Sequence, residues 1–184
     1  MEIFLIVLVI IVVLVVLFVV GFNRLRTMNI RVDEAESGID VALKRRFDLI
    51  PNLVETVKGY AAHEKSVFES VTQARSAGQA ATTIGEKAAA DAQLTQALVN
   101  LRAVAEAYPQ LQAASNFAKL QEELTSTENR IAFSRQNYNA VVQQLNTAVK
   151  TIPWMLFAGV AGVKEREFYE IPDDSQRQAP KVEF

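Results

Sequence analysis

The chain has 184 residues, with 19 Lys and Arg against 21 Asp and Glu, and its net charge of −2 gives no reason to expect nucleic acid as a partner. It contains no cysteine, which excludes disulfides and any zinc or thiol chemistry that depends on Cys.

The first predicted element is an uncharged, almost wholly apolar run, Ile3–Phe22. A helix needs about 20 residues to cross ~30 Å of hydrocarbon, and only a helix bonds every backbone polar group within a single span. A cleaved signal peptide is disfavoured, because it would have a basic leader and a shorter core, whereas the leader here is Met1-Glu2. We predict a transmembrane anchor over residues 1–22, with the lipid bilayer as the partner of residues 3–22.

The basic residues after the span predict its orientation. Arg24, Arg26 and Arg31 follow it, whereas Glu2 precedes it. Lys and Arg near the end of a span tend to stay in the cytoplasm. We therefore predict a single-pass protein, N-out with its C-terminal domain in the cytoplasm.

Residues 28–77 carry apolar side chains at helical spacing, with one skipped position at Glu64. Nothing between Phe22 and Asp48 would stop a helix, so the anchor can run straight into the domain. Pro51 is expected to kink or break the helix near residues 48–50, because it lacks an N–H and crowds the preceding turn.

Two more helices are predicted. Residues 76–90 lack periodicity and are interpreted as a loop that grades into a helix from about Ala88 to Ala107, ended by Tyr108-Pro109. A third helix begins near Ala113 and stops before Pro153. It has a heptad-like seam, typical of helices that pack at ~20° in bundles: Phe117, Leu120, Leu124, Thr127, Ile131, Ser134, Tyr138, Val141 and Leu145.

These elements predict an all-α fold, an N-terminal transmembrane helix followed by an antiparallel three- or four-helix bundle over residues 23–152. Residues 153–171 form an apolar C-terminal segment that is expected to pack on the end of the bundle. For residues 153–163, the alternative is an exposed patch for a partner or the membrane surface. Residues 168–171 are expected to be extended, and the polar tail 172–184 is predicted to be disordered.

A search for catalytic or metal-binding patterns finds none. The single histidine, His63, belongs to no H-E-x-x-H or E-x-x-H pair, and the acids do not recur at facing spacings. No Gly-rich phosphate loop and no nucleophile elbow occurs. We predict no enzyme activity, metal or cofactor, although His63 as a lone general base stays open.

Polar residues on the apolar seams are a further signal. Glu64 occupies a seam position on the first helix and Thr127 and Ser134 on the third, with Glu128, Arg130 and Arg135 nearby. Because buried charges must be paired, we expect an Arg–Glu network between helices that fixes register. The alternatives are a polar cleft that binds a ligand, or simple solvation. Lys44-Arg45-Arg46 is expected to make an intramolecular or subunit contact rather than to meet lipid.

Three motifs resemble the LemA proteins of bacteria. The first is IDVALKRRFDLIPNLV at residues 39–54, continued by ETVKGYAAHE at 55–64. The second is EAYPQLQA at 106–113, with Asn116-Phe117 and Leu120-Gln121. The third is TENRIA at 127–132, with Arg135, Tyr138-Asn139 and Asn146. Minor departures are Phe22, where the family tends to have Tyr, and Glu36, where Trp is common.

The resemblance implies one N-terminal span in the bacterial cytoplasmic (inner) membrane, a cytoplasmic antiparallel helical bundle and no established enzymatic role. It also implies cell-envelope functions and, for relatives in magnetosome-forming bacteria, a part in organelle membrane formation. The motif residues are candidate interaction or fold-specifying positions: Arg45, Arg46, Asp48, Pro51, Asn52, His63, Glu64, Glu106, Tyr108, Pro109, Glu128, Asn129, Arg135, Tyr138 and Asn139.

The function we predict is that of a non-enzymatic, membrane-anchored scaffold or adaptor of the bacterial cell envelope. It would form a homo-oligomer and engage other envelope proteins. The alternative is a ligand- or metal-sensing helical bundle coupled to the membrane.

Overall fold

The structure, a computed structural model, describes residues 1–170. It contains six α-helices in this range: α1 (Glu2–Lys58), α2 (Lys65–Ala80), α3 (Ile84–Glu106), α4 (Pro109–Gln112), α5 (Ser115–Lys150) and α6 (Met155–Ala158). No strand occurs in residues 1–170. The all-α class is confirmed, since a long apolar N-terminal helix is followed by helices that pack as a bundle. The tail predicted to be disordered, 172–184, lies outside the described residues, as does Ile171.

The helices divide between two compact units. Unit 1 consists of Met1–Ile39 and Ser134–Phe168, and unit 2 of Asp40–Phe133 together with residues 169 and 170 of the described chain. Helices α1 and α5 each contribute to both units.

Helix α1 begins in the apolar run and continues without interruption to Lys58, a length of about 85 Å at 1.5 Å per residue. No break occurs at residues 21–23. Every side chain from Ile3 to Val20 is exposed. This is the one helix within residues 1–170 that is long and apolar enough to cross a membrane.

We expected a kink or a break near residues 48–50. No break occurs there, and α1 runs through Pro51 as one helix. A proline at position 51 leaves the carbonyl four residues earlier, that of Phe47, without its helical donor. Arg75 of α2 supplies that donor, its Nε lying 2.9 Å from the Phe47 oxygen. The helix is interrupted instead at residues 59–64, where the apolar seam skips Glu64.

The loop predicted over residues 76–90 is also wrong. Helix α2 extends to Ala80, and α3 begins at Ile84. A capping box starts α3: Thr83 Oγ1 accepts from the Glu86 N–H at 3.2 Å, and Glu86 Oε2 accepts from the Thr83 N–H at 2.9 Å. This pattern is a helix-start signal that the absence of apolar periodicity concealed. The end at Tyr108-Pro109 is confirmed, with α4 beginning at Pro109.

The capping box makes part of the stability depend on pH. Backbone hydrogen bonds from Thr83 and Thr82 lower the pKa of Glu86 from 4.5 to about 2. Because the folded-state pKa lies below that of the unfolded chain, this stabilisation is fully present above pH 4.5 and is lost as the pH falls towards about 2. Urea unfolding of the full-length protein in detergent should show a shallower loss of stability over this window for Glu86→Gln. An unchanged slope would contradict the assignment.

Helix α5 carries the predicted seam, with one change of register. Phe117, Thr127, Ile131, Tyr138 and Leu145 are buried, as is Val142 in place of Val141. Buried Thr127 donates its hydroxyl proton to the Glu123 carbonyl one turn earlier, at 2.8 Å. The polar interruption at this position is therefore satisfied within its own helix.

In unit 1, the chain after α5 packs against α1 through a glycine. A Cβ on Gly21 would lie 2.5 Å from Cδ2 of Phe157. The Phe157 ring also meets Phe18 edge-on, with ring centroids 5.9 Å apart. Gly21 is thus required for the close approach of Phe157 to α1.

Gly21→Val is therefore expected to displace Phe157 at a cost of about 1–3 kcal/mol, as for other overpacked sites. Gly38 is the matched control on the same helix, since a Cβ there meets nothing within 4 Å. Gly38→Ala should stabilise the helix by about 0.5–1 kcal/mol. Hydrogen exchange of the peptide that contains Phe157 is expected to be faster in Gly21→Val than in Gly38→Ala. Equal protection of this peptide in the two variants would contradict the packing role of Gly21.

Candidate functional site

The polar centre of unit 2 is a buried ion pair between α1 and α3. Arg46 is only 4% exposed, and its Nη1 lies 2.5 Å from Oδ1 of buried Asp91. The Tyr169 hydroxyl donates to the other carboxylate oxygen at 3.3 Å. Within residues 1–170, Nε of Arg46 is a buried donor with no hydrogen-bond acceptor.

A cleft of about 220 Å³ opens beside Arg46, between α1, α3 and α5. Its lining is largely apolar and also carries Arg102, Gln121 and Glu128. Such a cleft fits a small molecule with an apolar body and a polar end that meets the charged and amide side chains of its lining. The apolar lining is Leu53, Leu98, Val99, Leu101, Phe117 and Leu124.

The predicted charge network is made of other residues. Glu128 and Arg130 are exposed on α5, and Arg135 and Glu64 are half-buried. The ion pair that is buried joins Arg46 to Asp91 instead. Asp91 was missed because it lies among alanines, yet it follows buried Ala88 by three positions and precedes buried Leu94 by three. That spacing on one helix face was a usable signal.

The remaining candidates are spread along the chain. Arg45, Asp48, Pro51 and Asn52 are exposed on α1, and exposed His63 lies in the turn before α2. Glu64 caps α2 through its backbone carbonyl, which accepts from the N–H of Val67 at 3.2 Å. Glu106, Tyr108 and Pro109 lie at the junction of α3 and α4, and Asn129 is exposed on α5. Of the predicted residues, Arg46 and Glu128 are brought to the same cleft.

Unit 1 has its own polar cluster, centred on Arg166. The guanidinium contacts two acids of α1, Asp33 at 2.7 Å and Glu36 at 3.0 Å. Asn146 of α5 holds the Arg166 backbone, accepting from its N–H and donating to its carbonyl, each at 2.8 Å. The hydroxyl of the predicted residue Tyr138 donates to the Glu167 carbonyl at 2.9 Å. The cluster fixes residues 166 and 167 between α1 and α5.

Two side chains of this cluster have altered pKa values. Burial raises the pKa of the Tyr138 phenol, and the negative charge of Glu36 adds to the effect. Burial lowers the pKa of Arg166, but the hydrogen bond and charge of Asp33 more than offset it, so that pKa is raised overall. Arg166 therefore stays charged and Tyr138 neutral, as their hydrogen bonds require. Asn139, next to Tyr138, is half-buried.

Within residues 1–170, no three His, Asp or Glu side chains are grouped so that they could hold a metal ion.

The sequence from residue 35 to residue 184 matches the LemA family model. The chain belongs to the LemA family. The first motif and the capping, cleft and cluster residues described above all fall within the matched range, apart from Asp33.

Curated relatives of this LemA-family chain include two proteins of Paramagnetospirillum magneticum, magnetosome proteins MamQ 1 and MamQ 2. Each is 27% identical over 175 residues, covering 81% of this chain and 64% of the relative. Magnetosome protein MamQ of Magnetospirillum gryphiswaldense is 27% identical over 174 residues, covering 80% and 64%. The chain thus spans less than two thirds of the length of these relatives.

Proposed function

We propose that this LemA-family chain is a non-enzymatic membrane scaffold of the bacterial cell envelope, which associates with copies of itself and with other envelope proteins. The observation that carries the proposal is α1, which joins an exposed apolar segment of spanning length to the folded helices without a helix end. A helix that is apolar on all sides is stable when lipid surrounds it. The likeness to magnetosome proteins supports a role at membranes.

The surface that we propose for self-association is a stripe on α1. Val41, Arg45, Asp48 and Asn52 are exposed and follow one another at steps of four, three and four, so they share one helix face. They lie in the first LemA motif. A two-fold interface would place the same stripe of two copies together, and a stripe with both charge signs can then pair Arg45 with Asp48.

Self-association can be tested with single cysteines, because the chain has none of its own. Asp48→Cys in the full-length protein is expected to crosslink into a dimer in native membranes. Gln96→Cys is the matched control, since Gln96 is exposed on α3. A strict monomer by native mass measurement at micromolar concentration, with no crosslink from Asp48→Cys, would overturn the self-association proposal.

Crosslinking in intact cells tests the engagement of other envelope proteins. The full-length protein is expected to crosslink to them, and less so when Arg45→Glu reverses a charge on the stripe. If only copies of the chain itself are recovered, engagement of other proteins is overturned while self-association stands.

We also propose the N-out orientation, which Arg24, Arg26 and Arg31 support.

The second candidate function is ligand sensing, which the largely apolar cleft with Arg46 and Arg102 in its lining favours. Octanoate, with an apolar chain and a carboxylate, is expected to raise the melting temperature of the protein in nanodiscs, whereas octylamine is not. Thr125→Trp should abolish the octanoate effect, because exposed Thr125 lines the cleft. No shift with octanoate would count against a carboxylate ligand.

A further inference from the structure

Residues 152–163 form a segment that turns back beside α1 after α5 ends. Helix α6 forms its middle, and hydrogen bonds from the N–H groups of Ala161 and Val163 to the carbonyls of Phe157 and Ala158 close the turn. Ala158, Ala161 and Val163 are buried. The segment therefore has a defined inner face within unit 1.

Its contacts on α1 lie where the apolar run ends. Phe157 packs on Phe18 and Gly21, both inside the run that ends at Phe22. Trp154 lies against the next turn, with the Arg24 guanidinium carbon 4.5 Å from its ring centroid. From Phe18 to Arg24 the helix rises only about 9 Å. The segment is thus at the level of the boundary between the apolar and charged parts of α1.

The outer face of the segment is apolar and uncovered. Ile152 is 77% exposed, Leu156 67% and Val160 65%, and Met155 is exposed as well. Four large apolar side chains within nine residues form a patch that folding within unit 1 leaves in contact with the surroundings. Phe157, which follows exposed Leu156, packs on Phe18, a side chain that is itself exposed on the apolar run of α1.

We propose that the segment 152–163 is a second membrane contact, inserted into the interfacial layer of the same bilayer that α1 crosses. The inference rests on the proposed function, since it requires α1 to span. If Phe18 and Gly21 lie in hydrocarbon near its edge, the side chains beside them meet lipid at the same depth. Trp154 then lies at the level of the headgroups, where Trp is enriched, and the apolar outer face lies at the acyl boundary, as in interfacial helices.

The contacts between the segment and α1 favour lipid, rather than a protein, as the partner of the segment's outer face. The segment touches α1 at residues that must themselves be surrounded by lipid if α1 spans. Arg24, whose charge reaches the headgroups from the end of the span, is stacked on the same Trp154. The segment would fix both the depth and the rotation of the span, because the Phe157 ring packs on the one face of α1 where Gly21 has no Cβ to exclude it.

Trp154 is the single tryptophan of the chain, so the native protein reports on its own segment. The full-length protein is reconstituted into phosphatidylcholine–phosphatidylglycerol vesicles with lipids brominated at different depths. Trp154 emission is expected to be quenched most strongly by bromines near the headgroup end of the chains, and to be protected from aqueous iodide. The double variant Leu156→Asp with Val160→Asp should lose both effects, because carboxylates do not enter the acyl boundary. Both replaced side chains are exposed, so the fold of unit 1 should be kept. The paired control Gln143→Asp with Thr147→Asp, exposed on α5, should retain them.

Fluorophores on single cysteines separate this proposal from the one on which it rests. Ile10→Cys reports the span and is expected to be quenched by deep bromines, and Glu34→Cys reports water about 18 Å beyond Phe22. If the Ile10 label is quenched by lipid but Trp154 and a Leu156→Cys label are open to iodide, the segment does not enter the bilayer and the proposal is overturned while the span stands. If the Ile10 label is open to iodide, the span itself fails.

Discussion

Asp91→Ala is expected to destabilise unit 2 by about 3–5 kcal/mol, the typical cost of removing one partner from a buried ion pair. Arg46 would keep its charge in a site where it is 4% exposed and where its Nε already has no acceptor within residues 1–170. The Tyr169 hydroxyl would lose its carboxylate as well. Urea unfolding of the full-length protein in detergent, followed by far-ultraviolet circular dichroism, measures the loss.

Two companion variants identify the cause. Glu165→Ala removes a carboxylate from an exposed pair, Lys150 with Glu165 at 2.7 Å, and should change the free energy of unfolding by no more than about 0.5 kcal/mol. The double variant Arg46→Met with Asp91→Leu removes both charges and should recover most of the stability, because apolar replacements of buried pairs are often neutral or stabilising. If Asp91→Ala costs no more than Glu165→Ala, the Arg46–Asp91 pair is not desolvated.

What local periodicity determines was predictable from the sequence. The apolar run of α1 and the seam of α5 depend on the spacing of neighbours along one helix. The sequence allowed α1 to continue past Phe22 but did not decide it. The end of α3 was predictable for the same kind of reason, because Tyr108-Pro109 acts on the adjacent turn. The start of α3 was missed although its Thr83–Glu86 capping box is equally local, since a search for apolar spacing does not weigh polar caps.

The polar centres were not predictable, because their partners are distant in sequence. Arg46 and Asp91 are 45 residues apart, and Arg166 and Asp33 are 133 apart. Periodicity indicates which face of a helix is buried, but it does not indicate which charge on another helix will meet it. The sequence therefore predicted that buried charges would be paired, and assigned the pairing to Glu128, Arg130 and Arg135, which lie on partly or wholly exposed positions of α5.

Pro51 illustrates how a distant donor overrides a local rule. A proline inside a helix normally costs about 3 kcal/mol, in part through the carbonyl it leaves unpaired. Here Arg75 donates to the Phe47 carbonyl from α2, and Gly78 one turn later lets α2 approach the Phe47 ring so closely that a Cβ there would overlap it. The donor that keeps α1 intact lies 28 residues away from the carbonyl.

Arg75→Met is consequently expected to cost about 1–3 kcal/mol in the natural sequence, since it leaves the Phe47 carbonyl without a donor. In a Pro51→Ala background the N–H of residue 51 can donate to that carbonyl, so the same replacement should cost clearly less. The four proteins form a double-mutant cycle, and the difference between the two costs is the coupling energy of Arg75 and Pro51. For two independent sites this energy would be no more than about 0.5 kcal/mol. Arg130→Met, at an exposed position of α5, controls for the loss of an arginine.

The cycle distinguishes two explanations of why α1 continues through Pro51. If α2 supplies the missing donor, the coupling is positive and hydrogen exchange in Arg75→Met rises first in the peptides around residues 47–58. If α1 tolerates the unpaired carbonyl, Arg75→Met costs the same with proline or alanine at position 51, and exchange around Phe47 does not change. The first outcome would make α2 a condition for an intact α1. The helix that carries the exposed Arg45, Asp48 and Asn52 face would then depend on its neighbour for its continuity.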